Sequence, residues 1–199
     1  MVIKTLWFAS NNPGKVMELK AMLAPYGYEI KSILDLSSPI EINETGDSFS
    51  ENAVLKAKTL ARLVNTPVIG DDSGLEILAL NNFPGIHSAR WKGSMSYHEA
   101  MVDILEQMKG HNDRSAMFIS AIAYVDLNHN ISKTFIGKLE GEITIEIKGN
   151  YGFGYDQIFY IPSQHATLGE MTLEDKNKIS HRYSALSQLL KFLETLAFE

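Results

Sequence analysis

The segment Pro67-Val68-Ile69-Gly70-Asp71-Asp72-Ser73-Gly74 constrains this chain more than any other. An apolar, β-favouring run stops at two adjacent carboxylates, a hydroxyl and a glycine. In open α/β sheets, ligands bind beyond the carboxyl ends of strands, so a strand ending in Asp71-Asp72 would deliver its charge there. Two neighbouring carboxylates repel each other unless a cation or a shared proton relieves them. Oxygen-only ligands of this kind suit Mg2+, which keeps several waters and also takes substrate phosphate oxygens. Asp, Ser and Gly are equally ordinary turn residues, so a solvated turn after an edge strand fits the same segment. The rest of the chain has to decide between the two.

The first segment, Ile3 to Ala9, reads as a buried strand, and Ser10-Asn11-Asn12-Pro13-Gly14-Lys15 follows it. Val16, Leu19 and Leu23 then mark one stripe of a helix. Asn12 suits its cap and Pro13 its first turn. A helix N-terminus presents unpaired N–H groups and partial positive charge, and Lys15 adds a full charge there. The spacing is not that of a P-loop, and a plain strand-to-helix turn fits it as well. Residues Glu29 to Ile42 look irregular, with a possible short strand. Glu41, Glu44 and Asp47 gather before a helix over 48–64, on which Asn52 and Lys56 share a face. That helix leads into the Asp71-Asp72 strand, which makes Glu44 and Lys56 site candidates and Glu41 and Glu51 weaker ones.

Further on, Ser96-Tyr97-His98-Glu99 is a capping-box pattern opening a helix to about Met108. Residues 116–125 alternate between two largely apolar sets, the mark of a long strand covered on both faces. Asn128-His129-Asn130 predicts a turn into a strand over 131–137, and Glu142 to Ile147 predicts another. Gly149 to Asp156 mixes glycines with aromatics. Glycine lets a ligand approach the backbone, and an aromatic ring beside it is a stacking surface for a base. A bulge or loop with two core aromatics fits there too. Thr172 to Lys176 reads as a capped short helix. Ser180-His181-Arg182 leads into a last helix with Tyr183, Leu186, Leu189, Leu190, Leu193 and Leu196 on its buried stripe.

Composition narrows the partners. With 199 residues, 45% hydrophobic and 21% charged, the chain can bury the core of one domain. No apolar run approaches the ~20 residues of a membrane span. The N-terminal residues lead straight into a strand without a signal peptide's apolar region. No cysteine is present, which removes disulfides, thiolate metal sites and a Cys nucleophile together. A cytoplasmic protein is the economical reading. A net charge of −6 argues against a polynucleotide partner, though a few local Lys and Arg residues suffice for a small nucleotide.

Four separated stretches match one known pattern in order. They are Ser10 to Lys15, Glu44-Thr45-Gly46 with Glu51 to Ala57, Asp71 to Leu75, and Gly152 to Asp156 with Ser180-His181-Arg182. Pro84 to Trp91 fits the bacterial branch. The chain resembles the inosine triphosphate pyrophosphatase family, house-cleaning enzymes that hydrolyse deaminated purine nucleoside triphosphates. Each motif alone is weak, and the specificity lies in their ordered combination. Two departures stand out: Gln157 where the family often has Pro, and Arg114 to Phe118 as a loose version of its motif.

The resemblance implies a mixed α/β fold, an elongated twisted mixed sheet flanked by helices into two lobes with a central substrate cleft. It implies one such domain over 1–199, a homodimer and Mg2+ dependence. Water would attack the α-phosphorus of ITP, dITP or XTP, giving nucleoside monophosphate and pyrophosphate. Asp72 would be metal ligand and general base, Glu44 would share the metal, and Asp71 would be a second acidic group. Lys15 and Lys56 would neutralise phosphate oxygens, with Lys56 nearest the bond being broken. Ser10, Asn11, Asn12, Pro13, Gly14 and Lys15 would cradle the phosphate tail, and Ser73 would hydrogen-bond substrate. Phe153 would stack on the base in a pocket shaped by Gly154, Tyr155 and Asp156. Lys176, His181 and Arg182 would read the base and hold phosphate. A phosphohydrolase of other modified nucleotides, or a nucleotide sensor without turnover, are the competing readings.

Overall fold

The computed structural model describes residues 4–38 and 40–196. Hydrogen-bonded strands run in the order β2 (Tyr28–Ser32), β1 (Lys4–Ala9), β3 (Val68–Ile77), β5 (Ser115–Asp126), β6 (Ile131–Ile143), β7 (Phe159–Ile161) and β8 (Ala166–Thr167), with β4 (Phe83–Pro84) on β3, and pairing is both parallel and antiparallel. The chain divides into two compact units. One comprises 1–72, 120–137 and 182–199, and the other comprises 73–119 and 138–181.

In the first unit, β1 (Lys4–Ala9) pairs in parallel with β2 (Tyr28–Ser32), joined by helix α1 (Pro13–Leu23). The expected strand start at Ile3 lies outside the described residues, as does Pro39 in the stretch expected to be irregular. Asn12 caps α1 as its side chain accepts from Gly14 and Lys15. Helix α2 (Phe49–Val64) opens on Ser48, whose Oγ accepts from Glu51 N–H. It buries Phe49, Ala53, Ala57, Leu60 and Ala61. Strand β3 (Val68–Ile77) pairs in parallel with β1 through Val68–Gly70. Gly70 is obligatory for the fit of α2, because a Cβ there would lie 2.1 Å from the Ala53 carbonyl oxygen. The core joins Leu6, Phe8, Leu19, Leu23, Ile69 and Ile122 with α6 (His181–Leu196), through Ala185, Leu186 and Leu189. Tyr183, expected on the buried stripe of α6, is 42% exposed, and Ala185 takes the inner position.

The second unit holds the rest of β3 with its antiparallel partner β4 (Phe83–Pro84), then α3 (Ser88–Lys92) and α4 (Tyr97–Gln107). The Ser96/Glu99 capping box expected for α4 is present, and burial of Ala100, Met101 and Ile104 holds the helix down. Strand β5 (Ser115–Asp126), of which residues 115–119 belong to this unit and 120–126 to the first, is buried along nearly its whole length, as its two apolar faces required. Strand β6 (Ile131–Ile143), which enters this unit at Lys138, then β7 (Phe159–Ile161), β8 (Ala166–Thr167) and α5 (Leu173–Ile179) complete the order. Leu75, Ile77, Ile104, Phe118, Phe159 and Leu168 are among this unit's core side chains.

Two expectations are corrected. Strand β3 does not stop at Asp71-Asp72 but continues to Ile77, because Leu75 and Ile77 are themselves fully buried core residues and Glu76 pairs with Pro84. No separate strand forms over 142–147. Instead β6 runs on through Gly141 to Ile143, since this glycine marks a close approach rather than a break. A Cβ on Gly141 would sit 2.6 Å from the Phe159 ring.

Candidate active site

A strand that runs through two buried carboxylates must supply them with partners, because an unpaired buried charge is strongly unfavourable. Both Asp71 and Asp72 belong to the first unit, and each has its own set of cations.

Asp71 is 1% exposed. Its Oδ1 accepts from Lys15 Nζ at 2.6 Å, and its Oδ2 accepts from Arg182 Nε at 2.7 Å and from Ser120 Oγ at 3.4 Å. Arg182 Nη1 also donates to Glu18, which is fully buried in α1. Burial would raise the Asp71 carboxyl, but Arg182 and Lys15 outweigh it and hold the group far below the usual carboxylate range. Arg182 moves the other way: burial opposes its charge, while Asp71 and Glu18 more than restore it. Lys15 is pulled below the ordinary lysine value by burial, which Asp71 offsets only in part.

Asp72 sits one residue on, and its Oδ1 accepts from Lys56 Nζ at 2.7 Å. The same ammonium donates to Glu44 Oε1 at 2.6 Å, so Lys56 bridges the two carboxylates expected to share a metal. The other oxygen of Asp72, Oδ2, is buried without a hydrogen-bond partner. Burial raises the Asp72 carboxyl, and Lys56 compensates incompletely. Lys56 is itself raised, as Asp72 and Glu44 overcome the cost of its burial. The solvated-turn reading of Asp71-Asp72 is therefore excluded.

The Ser10 to Lys15 loop enters α1 in the same unit, with the amides of Ser10, Asn12, Gly14 and Lys15 already bonded. Asn12 N–H donates to Ser10 Oγ at 3.2 Å, and Asn12 Oδ1 accepts from Gly14 and Lys15 at 2.9 and 3.3 Å. Asn11 and Pro13 are exposed. Glu41 is exposed as well, and Glu51 is used locally, its Oε2 accepting from Asp47 N–H at 2.8 Å.

The remaining candidates lie in the second unit. Asp156 Oδ2 accepts from Lys176 Nζ at 2.6 Å and from Phe153 N–H at 2.9 Å. Gly152 permits that turn: its φ is +77°, and a Cβ would meet Asp156 Oδ2 at 2.2 Å. The Lys176 ammonium stands 4.6 Å from the centre of the Phe153 ring, a cation–π contact on an aromatic that remains half-buried. Gly154 is half-buried, and Tyr155 is buried with its ring edge-on to Tyr97. Burial raises the Tyr155 phenol well above its usual value. His181 stacks on Phe118 with ring centres 4.8 Å apart. Ser73 is half-buried in β3. The structure thus gathers Lys15, Asp71 and Arg182 into one network and Glu44, Lys56 and Asp72 into another, with Phe153, Asp156 and Lys176 forming a third group.

Sequence reasoning missed Glu18 and Ser120. The signal for Glu18 was a carboxylate adjoining the buried stripe of Val16 and Leu19, a position that demands a cationic partner. For Ser120 it was a hydroxyl in a strand otherwise apolar on both faces.

Fold and side chains define a mixed α/β protein that buries carboxylates against lysine and arginine side chains. The chain belongs to the Ham1 family, whose model matches residues 6–192. It is 44% identical over 197 residues to the dITP/XTP pyrophosphatase of Bacillus subtilis (strain 168), covering 98% of this chain and 99% of that relative. The solved structure of the Staphylococcus aureus Ham1 protein matches with a TM-score of 0.85 at 39% identity, over 96% of this chain and 99% of that one. A HAM1 protein structure from Coxiella burnetii matches with a TM-score of 0.86 at 38% identity, with the same coverage. The family read from the sequence motifs and the mixed α/β fold expected with it are both borne out.

Proposed function

We propose that this chain hydrolyses non-standard purine nucleoside triphosphates, dITP, ITP and XTP, to the monophosphate and pyrophosphate; its relatives bear the name dITP/XTP pyrophosphatase. One observation carries the chemistry: Lys56 bridges Glu44 and Asp72, while Asp72 Oδ2 is left buried without a partner. Such an oxygen suits a proton or a cation. Among the described residues, no group of three or more His, Asp or Glu side chains gathers as a metal cage. Mg2+ commonly takes only one or two carboxylates, with phosphate oxygens and water filling the rest of its shell, so Glu44 and Asp72 fit it. When bound it would neutralise charge on the phosphate oxygens.

The protein's own side chains do the remainder. Asp72, raised by burial, takes the proton of the attacking water at Oδ2. Lys56 offers its ammonium to the phosphate oxygens nearest the bond being broken, and Lys15 offers a second charge along the tail. Ser10, Asn11 and the turn through Asn12, Pro13 and Gly14 line the tail, and Ser73 hydrogen-bonds substrate. Asp71 acts as the acidic brace of Lys15 and Arg182. Phe153 stacks on the base from its Lys176-backed position, with Gly154, Tyr155 and Asp156 shaping the pocket. Lys176 and His181 read the base, and Arg182 addresses the nucleotide with its guanidinium oriented by Asp71 and Glu18. A donor matched to the 6-keto oxygen leaves a buried group unpaired when adenine arrives, a mismatch worth orders of magnitude in rate.

We further propose that residues 1–199 form one pyrophosphatase domain, that the protein is a homodimer, and that it works in the cytoplasm. No helix among the described residues is long and apolar enough to cross a membrane. The deciding assay incubates the protein with dITP, dATP, dGTP and dUTP plus Mg2+ and separates pyrophosphate from orthophosphate. Pyrophosphate from dITP with little turnover of dATP is the expected result. Orthophosphate as primary product, or equal rates on dATP and dITP, would overturn the reading.

A further inference from the structure

We propose that Asn52 is a positioning residue that holds Glu44 in register with Lys56, an inference that rests on the role given to Glu44 above. Glu44 is carried by the 40–47 segment, which has no strand or helix structure and so no backbone ladder to place it. What ties this segment to α2 is a short list of contacts. Gly46 N–H donates to Asn52 Oδ1 at 2.9 Å, and Asp47 N–H donates to Glu51 Oε2 at 2.8 Å. The second contact is solvent-exposed, whereas Asn52 is fully buried. Asn52 and Lys56 stand one turn apart on the same helix face. The connections therefore close a ring: from α2 through the Asn52 side chain to Gly46, back along the chain to Glu44, across its carboxylate to Lys56, and so to α2 again.

Two observations show that this ring is specified rather than incidental. Gly46 has no space for a side chain, since a Cβ would lie 2.7 Å from Glu51 Cβ and 2.9 Å from Asn52 Oδ1. The segment therefore lies against the helix as closely as a backbone can. In addition, Asn52 Nδ2 is buried with no hydrogen-bond partner. A buried, unsatisfied N–H is unfavourable, so an apolar side chain at 52 would suit core stability better than a carboxamide. The carboxamide oxygen is what an apolar residue cannot supply, and that oxygen serves the Glu44 segment alone among the hydrogen bonds found for it. Groups that orient a functional carboxylate in this way typically change metal affinity or activity 10–100-fold when removed.

The test uses the full-length protein and two readouts. In the nucleotide-free protein, amide hydrogen exchange at Gly46 is measured by NMR for wild type, Asn52→Ala and Asn52→Asp. Asn52→Ala is expected to speed Gly46 exchange at least tenfold, while Asn52→Asp, which keeps an oxygen acceptor, retains protection. With dITP and Mg2+, Asn52→Ala is expected to lower kcat roughly 10–100-fold. In a Glu44→Gln background, the same substitution should lower kcat little further, because both changes act through one carboxylate. Gly46→Ala breaks the same contact from the segment side and is expected to reproduce both effects if Asn52→Ala folds poorly. Unchanged Gly46 exchange, or an equal fold-loss in the wild-type and Glu44→Gln backgrounds, would overturn the proposal. Absence of pyrophosphate release by the wild type would instead refute the enzymatic reading, while the exchange measurement would still decide whether Asn52 clamps the segment.

Discussion

Asp71 and Asp72 are neighbours on one strand, yet the fold treats them oppositely. Asp71 meets two cations and a hydroxyl, and its carboxyl is driven far below the usual range. Asp72 meets one lysine that it shares with Glu44, keeps a buried oxygen without a partner, and is driven upward. A fully compensated carboxylate is a structural brace, because protonating it would strand Lys15 and leave Arg182 with Glu18 alone. An under-compensated one is poised to take a proton or a cation. Alternating side-chain direction makes the division possible, since successive residues of a strand face opposite sides of the sheet. Two adjacent acids can thus serve stability and chemistry separately.

The sharpest way to break this contrast is Asp72→Asn. It is expected to lower kcat on dITP by roughly 10²–10⁴-fold with little change in KM, as loss of a general base would. Near wild-type turnover in steady-state kinetics would remove Asp72 from the chemistry. Asp71→Asn should do the reverse, costing about 3–5 kcal/mol of stability in urea unfolding because it leaves Lys15 without a carboxylate partner and Arg182 with Glu18 alone. A loss no larger than that of Asp72→Asn would show that the two carboxylates are not divided as described.

Acid sharpens the same point. The folded pKa of Asp71 lies below its unfolded value of about 3.9, so its contribution is complete above that value and fades as pH falls toward the depressed one. The stability gap between wild type and Asp71→Asn should therefore narrow as pH is lowered from about 5 toward 2. Asp72, raised in the folded state, should show the opposite sign: its ionisation costs stability as pH rises past the unfolded value. Unfolding midpoints of both variants across that range test both signs. The smallest effect belongs to Ser120→Ala, which removes one long hydrogen bond to Asp71 and should cost about 0.5–1.5 kcal/mol with kcat unchanged.

Much of this was legible in the chain, for identifiable reasons. The caps at Asn12, Ser48 and Ser96 and the apolar stripes of α1 and α2 are local features, set within a turn or two of helix. The pairing of Lys56 with Glu44 was legible in part, because both lie close in sequence to one helix. The end of β3 is not legible, because two carboxylates, a hydroxyl and a glycine read locally as the end of a strand. Asp71 and Asp72 remain inside a strand since cations arrive from elsewhere to meet them. The continuation of β6 to Ile143 is not legible either, because Gly141 reads locally as a break, whereas the close approach of Phe159 is the reason for it.

What the amino-acid order determined alone was the main helices, the strands β1 and β5, the acidic and basic residue types, and the family whose ordered motifs they form. Only the tertiary structure decided that Arg182 would brace Asp71 from 111 residues away and reach Glu18 across 164. It also decided that Asp72 would keep an unpartnered oxygen while its neighbour kept none. Helix periods and caps arise from interactions a few residues long, and a sequence displays those directly. The partner of a buried charge depends on which distant segments pack together, and no local pattern carries that information.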